Sequence, residues 1–183
     1  MSADPARPGQ NQRSLRLGAD CGLPSSGQVS VGEGGADRVK LVVHKEVGTR
    51  VPITRLKGLF EMITDDEADP DWRSQVNLVF TTDDHLRDLN REFRAKNSAT
   101  DVLSFNVDPP EETGGVFGEI YISVPFAQRQ ATDYGGTQTE EFLRLFCHGL
   151  LHLFGYDHQQ ATDARRMEQR QKRYLAALGE RQR

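Results

Sequence analysis

Hydrophobic residues fall into two periods along this chain, and the switches between them mark out the elements. From Val39 to His44 a β-branched run predicts a first strand. Between Gln75 and Thr81 the apolar positions Val76, Leu78 and Phe80 alternate to one side, as a second strand requires. Val102 to Val107 and Phe117 to Ser123 are two further strands. A short Pro- and Gly-rich turn joins them, which predicts antiparallel pairing.

Helical spacing fills the gaps. Val51 to Ile63 places Ile53, Leu56, Leu59, Phe60 and Ile63 on one face, opened by Pro52 and followed by an acidic turn from Asp65 to Asp71. Trp72, the only tryptophan, then anchors a core edge. Thr82 caps a second helix with Asp83 and Asp84 in its first turn and Leu86, Leu89 and Phe93 as its buried stripe. His85 lies off that stripe and is expected at the surface. A short helix covers Pro125 to Tyr134. Thr137-x-x-Glu140 is a capping box opening a helix that is apolar nearly all round, and such a helix belongs in the middle of a domain. The last helix runs from about Ala161 to Leu178, and its arginines and Lys172 form a solvated face. The elements predict an α+β fold: a small mixed sheet of about four strands with helices packed on it, the helix after Thr137 being central.

Composition divides the chain of 183 residues at one point. Residues 1–38 hold seven of the 17 glycines and none of the 14 aromatics, and they show no periodic apolar run. Such a segment cannot bury enough surface to offset its ordering entropy, so it is expected to be a disordered tail ahead of one domain over residues 39–183. Four arginines balance four acids in the tail, so the formal charge of −4 belongs to the domain. An acidic domain does not coat itself on nucleic acid, and any RNA contact has to be local. No apolar run is long enough for a membrane span or signal peptide, and only Cys21 and Cys147 carry thiols, which fits a reducing cytoplasm.

Candidate chemistry lies in one stretch. Three of the five histidines fall between His148 and His158. His148 and His152 are one helical turn apart on one face. Gly155 can take a positive φ and end the helix, which returns His158 toward the other two rings. Three imidazoles with an open fourth position are the catalytic form of a zinc site. Metzincin proteases share this spacing but carry their general base, a glutamate, directly after the first histidine. Gly149 stands there instead. Cys147 is rotated off the ligand face and is expected to pack. Asp157 either orients a ligand ring or caps the next turn.

HGLLHLFGYDH resembles the signature of the YbeY family, bacterial metal-dependent endoribonucleases of rRNA maturation. The stretch from Leu89 to Phe105 resembles a second family pattern, with Asn97, Ala99 and Asn106 in place of an acid and two prolines. Gly118 to Ser123 resembles a third. The resemblance implies a Zn2+ ion on His148, His152 and His158 and a phosphate-binding role for Arg94, with Lys96 as helper. It also implies an RNA substrate in the small ribosomal subunit, 16S rRNA 3′-end processing, and ribosomal or assembly-factor partners. The residues leave two other readings open: a metallohydrolase of peptidase or amidase type, and an assembly factor with a structural zinc.

Overall fold

The computed structural model describes residues 28–29, 40–69, 74–107 and 115–180. The remainder of residues 1–38, Trp72 and the turn after residue 107 lie outside the described residues. Five strands, β1 (Gln28–Val29), β2 (Lys40–Lys45), β3 (Gln75–Thr81), β4 (Val102–Asn106) and β5 (Val116–Ser123), form one sheet in the order β1-β2-β3-β5-β4. Pairs β2–β3 and β3–β5 are parallel; β1–β2 and β4–β5 are antiparallel. The sheet is therefore mixed, as expected. The four anticipated strands are present, and the two-residue β1 extends the sheet at its β2 edge.

The helices are α1 (Ile53–Glu67), α2 (Asp83–Arg94), α3 (Val124–Asp133), α4 (Gln138–Leu153) and α5 (Ala161–Glu180). Their starts follow from local chemistry. Thr82 accepts from the His85 amide, Ser123 accepts from the Phe126 amide ahead of α3, and Thr137 and Glu140 form the reciprocal capping box of α4. The end of α1 differs from expectation. It continues through Asp66 and Glu67, residues anticipated in a turn. Carboxylates are disfavoured at a helix C-terminus, but here the Tyr174 hydroxyl donates to both, and Arg173 and Arg170 of α5 stand 2.9 and 3.6 Å away.

Side chains of β3 are buried on both faces of the sheet. One face packs on α1 and α4 through Leu56, Phe60, Leu78, Phe80, Phe142 and Phe146, and α5 packs on those two helices. The other carries α2, with Leu86, Leu89 and Phe93 set against Val79, Leu103, Phe105 and Tyr121. Ten of the 16 residues of α4 are buried, which is why its apolar surface runs nearly all round. His85 is more engaged than a surface histidine. Its Nδ1 lies 2.8 Å from a Glu46 carboxylate oxygen and 2.9 Å from the Thr81 hydroxyl, because β2 and β3 end beside the first turn of α2.

Candidate metal centre

Close packing explains how α4 can present two histidines rigidly. A Cβ at Gly149 would stand 2.8 Å from both the Ile120 side chain and the Ser104 hydroxyl, so only glycine lets the helix lie this near β4 and β5. The position after His148 therefore points into the sheet and has no room for a glutamate base. Asn106 ties down the far end of the helix by donating to the Leu153 carbonyl at 3.0 Å.

The helix ends in a Schellman turn. The Gly155 amide donates to the His152 carbonyl and the Tyr156 amide to the Leu151 carbonyl, with Gly155 at φ 85°. The turn brings His158 back, as its spacing predicts. Candidate ligand atoms of His148, His152 and His158 all lie within 4.8 Å of one another. Gly155→Val places a β-branched residue at positive φ, so it is expected to weaken zinc binding about tenfold; a chelator competition showing parent affinity would mean that the turn closes without that φ.

Ring orientation is set from behind. His152 Nδ1 is 2.8 Å from the Tyr156 carbonyl, which can only accept, so Nδ1 carries the proton and Nε2 keeps its lone pair. His148 Nδ1 stands 3.3 Å from Gln171 Oε1 of α5, with the same consequence. The two Nε2 atoms then face each other at 3.1 Å. Two lone pairs at that distance repel unless a cation sits between them. Tetrahedral Zn–N bonds of about 2.0–2.1 Å place two ligand nitrogens about 3.3–3.4 Å apart, so the pair fits such an ion. His158 is exposed at the rim, its ring 5.1 Å from that of His152 and 5.7 Å from that of His148.

Burial first, and then neighbouring charge, hold both helix imidazoles neutral. The His148 pKa is lowered, and that of His152 falls to about 4, with His148 as its second cause. Stability of the metal-free protein should therefore fall with pH. In the unfolded chain a histidine takes up its proton near pH 6.5. Between that value and about 4 the unfolded state binds more protons, so stability present above pH 6.5 is lost as the pH drops. His152 alone accounts for about 3 kcal/mol of this. Urea midpoints in chelator at pH 7 and pH 4.5 test the prediction, and equal midpoints would refute it.

Other candidates sort out around this cluster. Cys147 is buried and its thiol is pushed up to about 12 by that burial, so it packs as expected. Asp157 accepts from the His158 amide at 2.6 Å and so caps the turn; the acceptors for the rings are the Tyr156 carbonyl and Gln171. Arg94 ends α2. Its guanidinium packs 5.9 Å over the Phe105 ring, on the α2 side of β4, while the histidines sit on the α4 side. Lys96 is exposed just beyond Ala95, which has a left-handed backbone. Neither cation has an ion-pair partner among the described residues, and desolvation lowers the Arg94 pKa. The loop that follows them returns to α4, where Asp101 faces Arg144 at 3.6 Å, one turn before His148. Sequence reasoning missed Gln171, Tyr156 and Arg144. Only Arg144, four residues before His148, carried a local signal.

A mixed sheet backed by a buried helix with two inward histidines, and a third on the next turn, defines an α+β protein of the three-histidine metal-site class. The chain belongs to the YbeY family: the family model described as Endoribonuclease YbeY matches residues 43–179. It is 34% identical over 130 residues to Endoribonuclease YbeY of Persephonella marina, covering 67% of this chain and 80% of that one. With the protein of the same name from Halalkalibacterium halodurans the identity is 31% over 152 residues, covering 78% and 96%. The solution structure of TM1509 from Thermotoga maritima superposes with a TM-score of 0.54 at 28% identity, covering 79% of this chain and 92% of that one. Among the described residues no helix is long and apolar enough to cross a membrane.

Proposed function

We propose that this chain is a zinc-dependent endoribonuclease that cleaves single-stranded RNA in rRNA maturation, at the 3′ end of 16S rRNA, and in ribosome quality control in the cytoplasm. The observation that carries the reading is the pair of lone pairs of His148 and His152, facing each other beside His158 at an open rim. When bound, zinc would supply a Lewis acid for a phosphoryl oxygen and an acidified water. His148, His152 and His158 hold it; Gln171 and the Tyr156 carbonyl keep the helix imidazoles in the ligating tautomer. Arg94 is the phosphate-binding residue of this reading, supported by its having no ion-pair partner among the described residues, and Lys96 adds affinity. Ribosomal or assembly-factor proteins would deliver the substrate to an acidic domain.

Gly149 speaks against a peptidase, since a base directly after His148 would have to occupy the space of Ile120 and Ser104. Incubating a defined rRNA fragment with the protein, with and without chelator, tests the proposal. Chelator-sensitive cleavage restored by zinc is expected, and undiminished cutting in chelator would overturn it.

A further inference from the structure

We infer that Glu67 is a positioning residue for the metal centre, holding through Tyr156 the turn that carries His158 and the acceptor for His152. The inference rests on the metal-site part of the reading above and not on the identity of the RNA.

Glu67 lies on the last turn of α1, where the helix dipole disfavours a carboxylate, and its side chain is only 11% exposed. A buried acid at such a place needs compensation, and Glu67 has it on both oxygens. One accepts from the Tyr156 hydroxyl at 2.9 Å; the other accepts from the Tyr174 hydroxyl at 2.6 Å and faces Arg170 at 3.6 Å. Tyr174 anchors the carboxylate to the core. Tyr156 carries its hold outward to the ligands.

Tyr156 is one residue past the glycine of the turn and two before His158. Its carbonyl accepts from His152 Nδ1, its amide donates to the end of α4, and the Arg166 guanidinium lies 5.3 Å over its ring. Its hydroxyl bond to Glu67 ties the turn to α1. Without that bond the turn keeps its hydrogen bonds to the end of α4 and the Arg166 contact on the Tyr156 ring, and loses its hydrogen-bonded tie to α1. The position of His158 and the orientation of the His152 ring, which the Tyr156 carbonyl sets, would then be less firmly held.

Partners behind metal ligands typically contribute about 10–100-fold to affinity. Zinc dissociation constants by chelator competition, and melting temperatures of the metal-free proteins, are to be measured for the parent chain, Glu67→Ala, Tyr156→Phe and the double variant. Each single substitution is expected to weaken zinc about tenfold, and the double variant no more than the stronger single, because both remove one bond. A purely structural Glu67 would lower the melting temperature and leave zinc affinity of the folded protein at the parent value. That result, or a double variant showing the product of the two single losses, would overturn the inference. Tyr156→Phe keeps the core bond between Glu67 and Tyr174, so it remains informative if Glu67→Ala does not fold. A parent chain that bound no zinc would overturn the metal-site reading and this inference with it; a zinc-binding parent with an unaltered Glu67→Ala overturns the inference alone.

Discussion

His152→Ala should leave a folded protein that holds no zinc at micromolar metal and cleaves RNA no faster than the chelated parent. His152 touches both other ligands: its Nε2 is 3.1 Å from that of His148, and its ring is 5.1 Å from that of His158. With it gone, the two remaining imidazoles offer only half of a tetrahedral set. The fold has reason to survive. The lost ring takes with it one hydrogen bond to the Tyr156 carbonyl, a cost of about 1–3 kcal/mol if that acceptor goes unsatisfied. Against this stands a core of Phe80, Phe142 and Phe146 that the substitution does not reach. A bound metal stabilises the parent by mass action, about 4 kcal/mol at a thousand times its dissociation constant. Zinc should therefore raise the melting temperature of the parent and leave that of the variant unmoved. Metal content, melting temperature with and without zinc, and cleavage rate decide the matter. If His152→Ala unfolded outright, the metal would be structural, and the assembly-factor reading would take the place of the nuclease. If it retained a full equivalent of zinc, the three-histidine site itself would be wrong.

What the sequence could say about this molecule depended on how local the cause was. Thr82 and Thr137 mark helix starts because a cap acts within three residues, and both caps are present. His148, His152 and His158 could be grouped because one helical turn and one glycine relate them. The end of α1 was misjudged because Asp66 and Glu67 are stabilised by tyrosines and arginines about a hundred residues away. The same distance hid Gln171, which reaches His148 from α5. Strand order was not legible either. β5 inserts between β3 and β4, and α1 and α2 leave the parallel strands on opposite faces, outcomes decided by packing over the whole sheet. Asn106 departs from the family pattern, but its reason is visible only where its amide meets the last carbonyl of α4.

Arg94→Ala should lose about 10²–10³ in cleavage rate while keeping zinc and fold. Removing a charge-assisted contact formed mainly in the transition state typically costs about 3–4 kcal/mol, which sets that range. Among the described residues the neighbouring cations of α2 are already committed, Arg87 to Asp84 at 2.6 Å and Arg91 to Asp88 at 2.9 Å. Arg94 has no such acid among those residues, and its guanidinium rests against Phe105. Arg94 is exposed and has no ion-pair partner among the described residues, so its guanidinium is available to a phosphate. The loop after it ends at Asp101, against Arg144 one turn before His148, so the chain between Arg94 and the metal helix is short and pinned at both ends. The guanidinium lies on the α2 side of β4. A contact made mainly in the transition state is read in the rate more than in substrate affinity. Lys96→Ala should lose less, and mostly in RNA affinity, since an ammonium acts as a point charge. Arg94→Lys should not restore the rate, because the bidentate geometry is absent. Cleavage rates, zinc content and melting temperatures of the three variants make the comparison, and an Arg94→Ala protein that cut RNA at the parent rate would remove this loop from the active site.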